Sequence, residues 1–309
     1  MKIYHGGPRY KEDERMHWLS KKSTKIIMIM PAVILFTVFF LAPIFISVYY
    51  SFTDFSGIGA AKFIGFKNYQ VLLKDKFFFI ALKNTFIILI GITITILPLS
   101  FIVALLLEKP FRGSGVVQSM IFAPNVIAPI LVGLIWLFIL DPKMGMINAI
   151  LRSIGLSDYQ QQWIGGKTLT PYSVAFVYLW QVLGFYTTIN MAGLRSIPAD
   201  IYEAAEIDGA NYFQRIRKIT IPMMKNTIVI NTILIITGGF KIFETVKQLT
   251  NGGPNHMSDV LVTYMYDTTF TSSRYGYGMA VATVSFVLCL IFSIIYLVNV
   301  GKSLEQKEG

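Results

Sequence analysis

Six stretches of this chain are apolar for long enough to cross a hydrocarbon layer as helices. They cover about residues 26–50, 85–107, 120–140, 172–194, 226–243 and 279–300. A bilayer core of roughly 30 Å takes about 20 residues of helix. Helix is also the form that satisfies backbone polar groups within one segment in lipid. The segments between the runs are too short for a separate soluble domain. The pattern predicts an all-α polytopic membrane protein with a tail over residues 1–25, a six-helix membrane domain over 26–300 and a second tail over 301–309. The third run contains Pro124 and Pro129, and the fourth carries Gln181, Thr187, Thr188 and Asn190 among its apolar positions.

Composition agrees. The 309 residues are 54% hydrophobic and 14% charged, against roughly a quarter charged in an average soluble domain. The net charge of +10 lies almost entirely between the runs, so it speaks against nucleic-acid binding and for membrane topology. The tails and the segments 108–119 and 195–225 hold about sixteen Lys and Arg in roughly 77 residues, and the alternate segments about nine in roughly 94. Basic residues accumulate on the cytoplasmic side, which predicts both termini in the cytoplasm, Lys62 and Lys167 outside, and Arg217 inside. The polar lead before the first run is longer than a cleaved signal peptide carries. One cysteine, Cys289, permits no disulfide within the chain, and His5, His17 and His256 show no metal-ligand spacing.

The segment 196–222 carries the clearest local design. Asp200 reads as a helix N-cap with Glu203 completing a capping box, Gly209 as the turn after that helix, and Tyr212 as the start of a second one. On the second helix Phe213, Ile216 and Ile219 share a face. By itself this is a helix–turn–helix connector in which Glu203 does no more than cap.

The same residues resemble a known signature. Glu203-Ala204-Ala205, then Gly209, then Ile219 and Ile221-Pro222 are similar to the loop of permease subunits in bacterial binding-protein-dependent ABC sugar importers, with Ile221 where that family usually has Leu. The stretch from Gln248 to Pro254, followed by Tyr264, Tyr266, Phe270 and Tyr275 to Gly278, continues the likeness to maltose- and glycerol-phosphate-type permeases. Without the loop it would read as a Gly-Pro turn and an aromatic belt. The resemblance covers the chain from Ile26 onward and implies the compact six-span form of the type I importer permease fold in the bacterial inner membrane. It implies that 196–222 is a coupling helix docking on a separate ATPase, with Glu203 in contact, Ala204 and Ala205 allowing close approach and Gly209 shaping the turn. It also implies a second homologous permease, two ABC ATPase subunits, an extracytoplasmic solute-binding protein and a sugar substrate.

No phosphate-binding loop is present: Gly166-Lys167-Thr168 copies its last residues, but Gln161 stands where its first glycine belongs. No catalytic triad or metal set appears either. The chain is therefore expected to bind no cofactor, with ATP–Mg on the partner ATPase. Polar residues within spans pair across helices or face a water-filled path. Gln181, Phe185, Tyr186, Thr187, Asn190, Phe240, Lys241, Phe243 and Glu244 are the candidates for a sugar route on the fourth and fifth spans. Lys241 and Glu244 stand three residues apart and can instead pair. Glycerol phosphate or another polyol is the alternative cargo, although a phosphate would need more basic residues than Lys241 supplies. A non-transport membrane scaffold or enzyme is the other class.

Overall fold

The structure, a computed structural model, describes residues 22–305 except Pro110 and Lys167. The expectations for His5, His17, Lys167 and most of the N-terminal tail lie outside the described residues. In chain order the helices are α1 (Lys22–Ser51), α2 (Lys67–Leu72), α3 (Lys76–Glu108), α4 (Ser114–Val126) and α5 (Pro129–Leu140). Then come α6 (Met146–Ser153), α7 (Thr170–Arg195), α8 (Ala199–Ile207), α9 (Tyr212–Met223) and α10 (Lys225–Phe240). The last are α11 (Glu244–Thr250), α12 (Leu261–Tyr266) and α13 (Tyr275–Glu305). Among these, α1, α3, α7 and α13 are each long and apolar enough to cross a membrane alone. The pairs α4–α5 and α9–α10 bring the number to six if each bent pair is one span.

At the centre α3 lies along α7. Ile88, Ile92 and Ile96 recur every four residues on one face of α3 and join Val174 and Val177 of α7 and Ile235 of α10 in one buried cluster. A second, smaller cluster gathers Ala104 and Leu107 at the end of α3, Met191 and Leu194 at the end of α7, then Ile197 and Met224. By contrast, α1 buries no residue before Ser51, and its last turns, Ala42–Ser51, lie against α13. Its exposed Ile, Val and Phe side chains require lipid or another subunit around them.

The third span departs from the continuous helix expected over 120–140. It is two helices meeting at 97°. Pro129 disfavours helical backbone at the residue before it, and Ala128 is extended at ψ 132°. The break leaves the Ile127 carbonyl without a helical donor, and the Gln181 side chain on α7 supplies one at 3.2 Å. On the other arm, a Cβ at Gly184 of α7 would stand 2.3 Å from the Ile121 carbonyl oxygen, so the absence of a side chain lets α4 lie directly on α7.

The fifth span ends at Phe240, short of the expected 243. The chain then folds back as α11, a loop with a cis Gly253–Pro254 bond, and α12 continuing into a π-turn at Asp267–Thr271. Val246, Leu249, Val260, Leu261 and Tyr264 of this segment are in the main core. The amide of Asn84 on α3 donates to the Met257 and Asp259 carbonyls, each at 2.9 Å, and Thr85 Oγ1 accepts from Leu261 N–H at 3.0 Å. What read as an outer loop is packed against the start of α3. Asp75 caps that helix by accepting from Phe77 N–H at 2.9 Å and Phe78 N–H at 3.4 Å, and it also accepts from the hydroxyls of Tyr264 and Tyr277.

Candidate functional site

The end of the bundle opposite Asp75 carries α8 and α9. Pro198, with φ −60° and ψ 136°, occupies the cap position of α8, so the helix begins at Ala199. Asp200 is therefore inside the first turn and is not the N-cap, and Glu203 closes no capping box. Glu203 is exposed, and its carboxylate makes no hydrogen bond or ion pair with another described residue. The capping explanation for it falls away. Ala204 is exposed beside it, while Ala205 faces inward and is buried.

Gly209 ends α8 as expected. Its φ is +76°, a region glycine enters without the clash of a Cβ. Its N–H donates to the Glu206 carbonyl at 3.0 Å, and Ala210 N–H donates to Ala205 at 2.9 Å, which is the Schellman arrangement. A capping box does exist, one helix later: Asn211 Oδ1 accepts from Gln214 N–H and Gln214 Oε1 accepts from Asn211 N–H, both at 2.9 Å. The Asn-x-x-Gln spacing after Gly209-Ala210 was its sequence signal. Within α9 the residues Ile216–Thr220 form a π-turn. This breaks the expected common face: Ile216 and Ile219 are half-buried, whereas Phe213 is 79% exposed. With Ile207, 87% exposed, Phe213 makes an apolar tip at the turn.

Inside the bundle the candidate route residues divide. Asn190 on α7 donates to Ser100 Oγ on α3 and accepts from the Asn231 amide on α10, each at 2.9 Å. All three residues are buried, so here Asn190 pins three helices together, as Gln181 pins the break in the third span. Thr187 is hydrogen-bonded to its own Leu183 carbonyl at 2.8 Å. With Thr188, Gln118 and Arg195 it lines a cavity of about 160 Å³ toward the Gly209 end. Tyr186 is buried beside the exposed Phe185 ring, and Phe240 is buried between Phe86 and Phe292. Lys241 and Glu244 are both exposed and form no ion pair with each other. Their expected helical spacing is lost because the helix ends at Phe240 and the next begins only at Glu244. Phe243 lies instead 5.1 Å from the Tyr266 ring, over which the Lys247 ammonium also sits.

The fold also assembles charges that their spacing in sequence did not suggest. His256 Nδ1 lies 2.7 Å from the Asp259 carboxylate, which is fully buried and accepts from Thr263 at 2.8 Å. Asp267 stands close by, held by Lys247 at 2.6 Å. His256 thus partners the buried Asp259, and Lys247 partners the half-buried Asp267, within the protein, as polar groups removed from water require.

The bundle can be set beside known proteins. A family profile described as the binding-protein-dependent transport system inner membrane component matches residues 96–302. The probable ABC transporter permease protein YurN of Bacillus subtilis (strain 168) is 34% identical, over 87% of this chain and 92% of its own. The trehalose/maltose transport system permease protein MalF of Thermococcus litoralis is 30% identical, over 89% of this chain and 92% of its own. The arabinooligosaccharides transport system permease protein AraP of Bacillus subtilis is 31% identical, over 90% and 88%. A chain from a bacterial ABC transporter involved in the import of the acidic polysaccharide alginate superposes with a TM-score of 0.80 at 23% identity, over 94% of this chain and 98% of that one, and so shares its fold. This chain belongs to the family of binding-protein-dependent transport system inner membrane components.

Proposed function

We propose that this chain is the permease subunit of an ATP-driven oligosaccharide importer and that the α8–α9 loop is its contact with a separate ATPase. The observation that carries the proposal is Glu203. In a transport-family chain, an exposed carboxylate without an internal partner projects from a short helix whose end is built by Gly209. Relatives named for trehalose/maltose and arabinooligosaccharide transport, at 30% and 31% identity, support a carbohydrate cargo. The complete importer comprises a second, homologous permease, two ABC ATPase subunits that bind and hydrolyse ATP–Mg, and an extracytoplasmic solute-binding protein. The exposed apolar flank of α1 is consistent with such a partner or with lipid. The Gly209 end, with both termini, lies in the cytoplasm, which the excess of Lys and Arg in those segments supports.

Sugar recognition combines ring stacking with hydroxyl hydrogen bonds. Phe185, Phe243, Lys241 and Glu244, together with the Thr187 cavity, are the accessible parts of the route. Gln181, Tyr186, Asn190 and Phe240 act by placing the helices that form it. Reconstituted with its partners in lipid vesicles, the protein is expected to accumulate maltodextrins or arabino-oligosaccharides at the expense of ATP. Phe185→Ala, Thr187→Ala and Phe243→Ala are expected to lower uptake several-fold, with basal hydrolysis intact. Uptake of glycerol phosphate in place of sugars would overturn the cargo, and loss of assembly in all three variants would return those residues to packing.

Topology has its own check. In a Cys289→Ser background, a cysteine replacing Lys62 is expected to react with an impermeant thiol reagent in intact cells and one replacing Arg217 is not. The reverse pattern would overturn the orientation.

A further inference from the structure

The two helices of the loop are each complete in themselves. The Schellman bonds finish α8 and the Asn211–Gln214 box starts α9, so the backbone bonds at the turn do not fix the angle between them. A cavity of about 260 Å³ lies beside them, lined by Leu105 and Glu108 of α3, by Lys109, and by Tyr202, Arg215 and Thr220. The cavity separates part of α8 from the end of α3, while Ala205 is buried and Tyr202 packs against the smaller cluster. Among the described residues, two side-chain hydrogen bonds join α8 to α9. One is Glu206 to Arg215 at 2.5 Å, with the Glu206 side chain 66% exposed, a setting in which ion pairs contribute little. The other is the Tyr202 hydroxyl to Thr220 Oγ1 at 2.9 Å, and Thr220 is 2% exposed.

The π-turn makes the second contact possible. Its wider turn brings Thr220 to the inner side of α9, and π-turns of this kind recur at functional positions. There the Thr220 hydroxyl is 3.4 Å from the Arg215 carbonyl, to which it donates, leaving a lone pair for the Tyr202 O–H. Four residues on, Met224 is 1% exposed in the cluster with Ala104, Leu107, Met191 and Leu194, and beyond it the chain bends 67° into α10. A displacement of α8 can thus reach α10 through Tyr202, Thr220 and Met224, or be absorbed as rotation at Gly209 if the brace is absent.

We propose that the Tyr202–Thr220 hydrogen bond is the brace that makes α8 and α9 move as one body, and that these two are positioning residues for coupling. This rests on the reading of the loop as the ATPase contact. The brace determines how much uptake each hydrolysis delivers, and Glu203 and Gly209 determine whether the ATPase is engaged.

The test uses the full complex in lipid vesicles, reading ATPase copurification, melting temperature, basal hydrolysis and sugar uptake per ATP. Tyr202→Phe and Thr220→Val are each expected to lower uptake per ATP roughly five-fold, the factor corresponding to one hydrogen bond of about 1 kcal/mol. Copurification and basal hydrolysis stay at the wild-type level. The double variant is expected to be no worse than either single one, since both remove the same bond, and Thr220→Ser is expected to retain the wild-type ratio. A wild-type ratio in both single variants, additive losses in the double variant, or a lowered melting temperature with an unchanged ratio would each overturn the brace. Should the double variant fail to assemble, the single variants and Thr220→Ser decide alone. If Glu203→Ala and Gly209→Pro leave coupled hydrolysis intact, the docking reading itself falls, an outcome distinct from failure of the brace.

Discussion

Gly209→Pro and Glu203→Ala are expected to abolish sugar-stimulated ATP hydrolysis and uptake while the membrane helices stay folded. Proline fails at position 209 for two reasons. Its ring fixes φ near −65°, far from the +76° observed, and it lacks the N–H that donates to Glu206 at 3.0 Å. Gly209→Ala is the informative intermediate. An added Cβ would meet nothing within 4 Å, so alanine bears only the left-handed backbone penalty of roughly 1–2 kcal/mol and should weaken coupling without ending it. Glu203 acts at the other surface. Removing one partner of a charge pair that becomes buried in a complex typically costs about 2–5 kcal/mol, enough to reduce ATPase retention by roughly thirty-fold or more. Hydrolysis and uptake measured beside ATPase copurification decide the matter. Normal coupled activity in Gly209→Pro and Glu203→Ala would end the assignment.

Asp75→Ala is the substitution expected to destabilise the opposite end most. One carboxylate caps α3 and receives the hydroxyls of two buried tyrosines, Tyr264 and Tyr277, from α12 and α13. Hydrogen bonds to a charged group contribute about 1.5–3 kcal/mol each and an N-cap about 1 kcal/mol. Because such terms overlap, the expected loss is roughly 3 kcal/mol. The pH dependence follows from the same contacts. Burial pushes the Asp75 carboxyl up, but the tyrosine hydroxyls and the two backbone N–H groups outweigh it, and the net value lies below the ordinary 3.8. A carboxylate with a lowered folded value stabilises above its unfolded value and loses that contribution as pH falls through the folded one. The contribution is therefore complete at pH 7 and fades only below about pH 4. Melting in detergent should show Asp75→Asn less stable than wild type at neutral pH, with the gap narrowing on acidification. Equal melting at pH 7 for Asp75→Ala and wild type would remove the clamp from the account.

The apolar runs determined the helices, their approximate number and their membrane setting, because in lipid a long uncharged stretch has no other way to satisfy its backbone. Local signals were equally direct at Gly209, where one residue type suits a positive φ. The same logic failed at Asp200, because Pro198 had already taken the cap position and moved the start of α8. It failed at 120–140, because hydrophobicity does not report the near-right-angle break that Pro129 imposes. Pairings between distant elements were not legible at all: Asn190 with Ser100 and Asn231, Asp75 with Tyr264 and Tyr277, and Tyr202 with Thr220 each depend on which helices become neighbours. A polar residue in a span announces only that it needs a partner. For Gln181 and Asn190 the tertiary structure supplied that partner within the protein, for Thr187 it left a cavity alongside, and for Glu203 it left the carboxylate open to solvent. The physical reason is that burial and pairing belong to the packed bundle, whereas the sequence specifies only the faces that are brought to it.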